Sequence, residues 1–209
     1  MMPAISVIFP TVRPDRFRGS FDSIRWAAGA VPYEVIIVAD FVKPEDVDCV
    51  WVVRPRMGTV DAINAAYDVA QGTHVFLFND EATLDPHALE LLYHEAKWTP
   101  GALLTPMHLP LYRFEYYGKP FAPFPFASRD LFATIGGLLD SRYFCFYADP
   151  DLGMRAHAAG VPIRTISGAI IRHNNGNDDV KAQNVAAYMA ADQATFKMRW
   201  KHLGIFSDC

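Results

Sequence analysis

Four short apolar runs mark the first part of the chain. Residues 4–9 read AISVIF, 33–39 YEVIIVA, 49–53 CVWVV and 74–78 HVFLF. Each is rich in β-branched or aromatic residues and too short for a typical helix. Such runs suit strands buried on both faces, as in a parallel sheet. Helix-length segments lie between them. Residues 14–28 place Phe17, Phe21, Ile24 and Ala28 on one stripe. Residues 59–70 do the same with Ile63, Ala66, Tyr67 and Ala70, and Gly72 follows as a stop signal. Residues 86–98 carry Leu89, Leu92 and Ala96 in helical register, with Pro86 suited to a first turn. Strands alternating with helices in this way predict an α/β fold, an open, mostly parallel sheet with helices on both faces.

The second half is less regular. Residues 109–126 (LPLYRFEYYGKPFAPFPF) hold too much proline for a long helix, because proline removes a donor and clashes with the preceding turn. Ser128 can cap a helix over 129–135, which Gly136 and Gly137 end. Asp149-Pro150-Asp151 opens a further helix that stops at Gly160. Residues 162–166 and 169–172 read as two strands, 173–177 as a polar turn, and 180–202 as a final helix. No internal repeat or linker divides the chain, so its 209 residues are read as a single domain.

Composition narrows the choice of chemistry. The chain is 51% hydrophobic and 13% aromatic, enough for a core without disulfides. Nineteen basic residues against 23 acidic ones leave a formal charge of −4, which argues against a broad nucleic-acid footprint. Three scattered cysteines, Cys49, Cys145 and Cys209, form no CxxC pair and point to a reducing compartment. No basic leader precedes the first apolar run, and no apolar stretch is long enough to span a bilayer; the chain reads as cytoplasmic.

Ligands of open α/β sheets bind outside the C-terminal ends of the strands. The polar residues that follow the apolar runs are therefore the informative ones. Pro10, Thr11 and Arg13 follow the first run, Asp40 the second, and Asn79, Asp80 and Glu81 the fourth. Clustered carboxylates at such an edge suit a hard cation or sugar hydroxyls. The alternative is an acidic helix start ahead of Pro86, favoured by the macrodipole. A lone Asp such as Asp40 at a strand end is more often a turn or cap residue than a ligand, and Arg13 either neutralises a phosphate or sits on a solvated face with Arg16 and Arg18.

The order of these segments resembles the family 2 glycosyltransferases of the GT-A fold. The likeness runs through ISVIFPTVRPDRFRGSFDSIR, YEVIIVAD and RPRMGTVDAINAAYDVAQGTHVFLFNDEATLDPHALELL. It continues in GGLLD, FYADPDLGMRAHAAG, His173 and DQATFKMRW. It implies a Rossmann-like nucleotide-sugar-binding half (1–105) and an acceptor-side half with a C-terminal helix (106–209). It implies nucleotide contacts at Pro10, Thr11 and Arg13, nucleobase recognition at Asp40, and a helix beside the nucleotide carrying Gly58, Asp61 and Asn64. The family's DXD stretch falls on Asn79, Asp80 and Glu81, a departure in which Asn79 replaces the first Asp and Glu81 the second. A divalent metal (Mn²⁺ or Mg²⁺) at Asp80 and Glu81, with His173 as a further ligand, is what the family pattern implies. The alternative for His173 is a turn histidine.

The family's acidic pair before the acceptor-side helix becomes Ala148-Asp149, so the Glu is missing while the Asp that acts as general base remains. The implied reaction is inverting transfer of a sugar from a nucleotide-sugar donor to a hydroxyl acceptor, a glycan or another alcohol. Asp149 before Pro150 is also an ordinary helix cap, and the two roles are compatible. Tyr112, Phe114, Tyr116, Tyr117, Phe121, Phe124 and Phe126 are open to stacking on sugars, packing on the core, forming a homo-oligomer contact, or meeting a lipid-linked acceptor at the inner face of a membrane. Two other readings compete: a catalytically silent sugar-nucleotide-binding protein, and a nucleotidyltransferase. The second lacks a glycine-rich phosphate loop after the first strand.

Overall fold

The apolar runs fold as strands with both faces covered. A computed structural model describes residues 2–56, 58–173 and 178–203. Strand β1 (Ile5–Thr11), helix α1 (Phe17–Ala28), β2 (Tyr33–Ala39), β3 (Val50–Val53), α2 (Thr59–Val69) and β4 (His74–Leu77) follow the order expected from the sequence. Along β1, Ile5, Val7 and Phe9 face one layer and Ile8 the other; along β4, Phe76 alternates with Val75 and Leu77. The first layer is filled by α1 and α3 (Ala88–Trp98). The second is filled by α2, α4 (Arg129–Thr134), α5 (Ala148–Ala158) and α6 (Asp179–Trp200). Fully burying side chains such as Phe9, Ile24, Ile36 or Phe132 stabilises the fold by roughly 1.5–3 kcal/mol each.

The sheet has eight strands in the order β3-β2-β1-β4-β9-β6-β10-β5. Five strands were not separate in the sequence pattern: β5 (Ala82–Leu84), β6 (Leu103–Leu109) and β9 (Phe126–Ser128) of the large sheet, and β7 (Glu115–Tyr116) and β8 (Lys119–Pro120), which form a second, two-stranded sheet. β9 runs antiparallel between β4 and β6, and β5 antiparallel on β10 (Ile163–His173); the other pairings in the large sheet are parallel. The two strands expected over 162–166 and 169–172 are this one strand, β10. Its register against β6 shifts between Ile166 and Ile170, opposite Pro106 and Met107. The bulge falls where Pro106 has no N–H to offer the ladder, which is how a proline is accommodated in an interior strand.

Two expectations from the sequence change at this level, and a third is not reached by the described residues. The first strand does not stop at Pro10 but runs through Thr11, because β2 pairs with it as far as Thr11 opposite Ala39, while on its other side β4 pairs only as far as Ile8. Gly72 does not end α2, which closes at Val69; a Cβ there would lie 2.5 Å from the Ser6 backbone nitrogen, so the glycine permits close approach to β1. The polar turn at 173–177 lies, beyond His173, outside the described residues. Ser128 caps α4 as expected, its hydroxyl accepting from the Leu131 N–H at 3.1 Å. Among the described residues no helix is long and apolar enough to cross a membrane.

Candidate active site

The parallel strands deliver their C-terminal ends to one cleft of about 250 Å³. β1 contributes Pro10, Thr11 and Arg13, β2 leads to Asp40, β3 to Arg54 and Arg56, and β4 to Asn79, Asp80 and Glu81. The first turn of α2 adds Gly58, Thr59 and Asp61. The later half of the chain reaches the same space through Cys145 and Phe146, ahead of α5, and through Lys181, Asn184 and Tyr188 on α6. Of the residues singled out in the sequence, Pro10, Thr11, Arg13, Asp40, Gly58, Asp61, Asn79, Asp80 and Glu81 meet here. Asn64 does not; its side-chain amide donates to the Leu139 carbonyl at 3.1 Å and ties α2 to the loop beyond α4.

Arg13 organises the carboxylates. Its Nη1 donates to Asp80 Oδ1 at 2.9 Å and its Nη2 to Glu81 Oε1 at 2.8 Å. Its Nε and Nη2 fork onto Asp178, at 2.7 and 3.1 Å. Thr11 donates to the other Asp80 oxygen at 2.7 Å and accepts from the Arg13 N–H at 3.1 Å. Asp178 also caps α6, accepting from the Lys181 N–H, and takes a bond from Arg16 at 2.8 Å. Burial pushes the Asp80 carboxyl above its ordinary value despite Thr11 and Arg13. Burial would raise Glu81 too, but His173 and Arg13 outweigh it and hold the group low. The Arg13 hydrogen bonds and the Lys181 N–H hold Asp178 down to about 2. Desolvation works against the charge on Arg13, and its three carboxylate partners more than reverse that.

His173 lies on the far side of this cluster. Its Nε2 is 3.7 Å from Glu81 Oε2, and its Nδ1 is 3.2 Å from His108 Nε2. His108 Nδ1 sits 2.8 Å from the Pro110 carbonyl, which can only accept, so His108 carries a proton there. His173 faces a second hollow shared with Asp80, Glu81 and Arg172, and not the main cleft. Arg172 is committed to Asp85 through two bonds of 2.7 and 2.8 Å.

The family pattern implies a divalent metal at these carboxylates. As folded, the side chains do not fit one. Mg²⁺ would need to approach carboxylate oxygens to ~2.1 Å. The positions facing Asp80 Oδ1 and Glu81 Oε1 are held by guanidinium nitrogens, so the ion would be set against a like charge. Among the described residues no group of three or more His, Cys, Asp or Glu is disposed to hold an ion.

The wall made by the later half is assembled by side chains of α6. Asp192, fully buried, accepts from three successive backbone N–H groups, those of Phe144, Cys145 and Phe146, at 3.0, 2.9 and 2.8 Å. Asp151, also fully buried, accepts from Tyr143, Arg155, Arg199 and Trp200 at 2.8–3.1 Å. These bonds explain the closing DQATFKMRW segment. Tyr147, between the two networks, has a left-handed backbone (φ 61°), a costly conformation for a non-glycine residue at the start of α5. Asp149 follows in the first turn. It is not among the residues lining the cleft, but Cys145 and Phe146 just ahead of it are. Among the described residues no side chain pairs with its carboxyl, and burial pushes it up to about 6.

The aromatic segment packs more than it presents. Phe124 and Phe126 are buried in the core; Tyr116 meets Tyr147 and Phe196 edge-on; Phe121 lies against Gly153 of α5. Phe114 packs on His108 and Phe121. Tyr112 is 68% exposed and Tyr117 41%, and none of the seven aromatics lines the main cleft. The residues not singled out from the sequence are Arg54, Arg56, Asp178, Lys181 and Asp192. The two arginines follow the third apolar run and were open to the same strand-end rule; Asp192 opens the DQATFKMRW segment of the likeness without being named in it, and Asp178 and Lys181 carried no local signal.

The structure of TarS from S. aureus matches with a TM-score of 0.65 at 14% identity, over 94% of this chain and 43% of that one. The architecture is GT-A-like. This chain spans less than half the length of TarS. No protein-family model matches the sequence, and the search of curated proteins returns no similar chain.

Proposed function

We propose that this protein is an inverting glycosyltransferase of the family 2 type, moving a sugar from a nucleotide-sugar donor to an acceptor hydroxyl. The observation that carries the reading is the cleft itself, where strand ends from the first half and a loop from the second half meet. Two cations in it are free to face an anion. Arg56 bonds only to the amides of Asn184 and Gln183, and Lys181 forms no ion pair among the described residues. Uncompensated positive charge beside apolar walls favours a diphosphate. The fold likeness to TarS, a glycosyltransferase, supports the same class.

In the reaction, the acceptor oxygen bonds to the anomeric carbon as the bond from that carbon to the diphosphate breaks. Asp149 takes the acceptor's hydroxyl proton. A carboxyl pushed up to about 6 is half ionised near the pH where it must accept a proton, and such bases contribute typically ~10²–10⁴-fold. Arg56 and Lys181 meet the charge that develops on the departing nucleoside diphosphate. Asp40, exposed at the end of β2, is the acceptor for a nucleobase N–H, and Thr11 and Pro10 floor the nucleotide.

The test is transfer and donor hydrolysis with a panel of nucleotide sugars, on the wild type and Asp149→Asn. The variant is expected to bind donor as before and to lose at least ~100-fold in turnover. Turnover within a few fold of wild type removes Asp149 from the mechanism. Ala148, in place of an acidic residue, favours one rival, a sugar-nucleotide-binding protein without activity. Thermal stabilisation by a nucleotide sugar with no turnover on any acceptor would select it.

A further inference from the structure

We infer that Arg13 is the resident cation of the Asp80, Glu81 and Asp178 cluster, and that it masks a latent divalent-cation site which its removal would open.

A guanidinium has five N–H donors, and Arg13 spends its side chain on three carboxylates from two distant parts of the chain. A surface arginine pairs loosely with one partner; this side chain is 14% exposed and is held at both ends. Its backbone N–H bonds to Thr11, whose hydroxyl in turn bonds to Asp80. Arg13 and Arg16 are both bonded to the cluster of Asp80, Glu81 and Asp178. A dication added to this set would sit beside the guanidinium, against a like charge. With Arg13 gone, three carboxylates would face one another around a space of its size. Hard oxygen donors with surplus negative charge are what Mn²⁺ and Mg²⁺ select.

The experiment is titration of Mn²⁺ alone into the EDTA-treated, dialysed full chain, read by electron paramagnetic resonance of free Mn²⁺. It is run on wild type, Arg13→Met and the double variant Arg13→Met/Asp178→Asn, with folding checked by circular dichroism. The double variant removes one carboxylate with the cation, so that a folded protein remains if repulsion unfolds the single one. Half-saturation of Arg13→Met, or of the double variant where the single one does not fold, is expected at a Mn²⁺ concentration at least tenfold below that of wild type. Wild-type binding as tight as the variants', or no gain in any folded variant, would overturn the inference. No nucleotide or turnover enters the measurement, so either outcome leaves the glycosyl-transfer reading to its own test.

Discussion

The two walls of the cleft are built by different means. On one side, β1, β2, β3 and β4 carry Thr11, Asp40, Arg54 and Asp80 to their places through ladder hydrogen bonds shared among many residues. On the other side no strand delivers Cys145 or Phe146, the residues just ahead of Asp149. Two buried aspartates do that work, Asp192 holding the loop and Asp151 holding α5 to α6. A wall hung on a few side chains is open to removal by one substitution, and a wall of strand ends is not. Asp149 and Asp151 sharpen the contrast within one helical turn. Asp151 is saturated by four donor residues, whereas Asp149 has no side-chain partner among the described residues and is desolvated.

The largest effect is expected at Asp151. Asp151→Ala leaves the buried Arg155 without its carboxylate and Arg199 with Asp140 alone, and breaking such a buried pair costs about 3–5 kcal/mol. Urea unfolding reads this directly; a loss below about 1 kcal/mol would mean that α5 is held mainly by its apolar contacts.

Asp192→Ala comes next. Three backbone N–H groups lose their acceptor, at a cost of about 1–3 kcal/mol. Hydrogen exchange is expected to speed up at residues 144–146 while the amides of β1 and β2 keep their protection. Equal acceleration on both sides would break the comparison drawn above.

The smallest effect is in Asp149→Asn, and it has the opposite sign. The carboxyl is pushed up from its ordinary 3.8 to about 6, so the fold favours its protonated form. Its destabilising contribution is therefore absent below pH ~4, grows between ~4 and ~6 and is complete above. The variant is expected to melt higher than wild type at pH 7–8 and alongside it at pH 4. Melting below wild type at neutral pH would show the carboxylate to be stabilising. The higher melting point would mark Asp149 as a residue kept at a cost to stability, as functional groups often are.

The same contrast explains how much was legible in the sequence. The apolar runs name their own strands, and the strand-end rule then points to Thr11, Asp40 and Asp80 without any long-range knowledge. The short strands β5 and β9 carry too few residues for a period to show, and Pro106 disguised β6 because its bulge partner lies sixty residues on. Asp192 sits in a helix with a mostly polar surface, where nothing local distinguishes a buried aspartate from a solvated one. Arg13 was visible as a strand-end residue, but that it would face three carboxylates at once is a property of the folded chain alone.

At Gly58 the two walls touch. Its φ of 102° and a Cβ position only 2.7 Å from the Phe144 carbonyl leave room for no side chain, and the same carbonyl accepts from the Val60 N–H at 3.1 Å. The seam is thus main chain against main chain, with nothing there for mutation to lengthen or shorten. Diversification of the pocket must proceed around its rim, through positions such as Arg54 and Tyr188, while the gap between the walls stays fixed by the dimensions of a peptide bond.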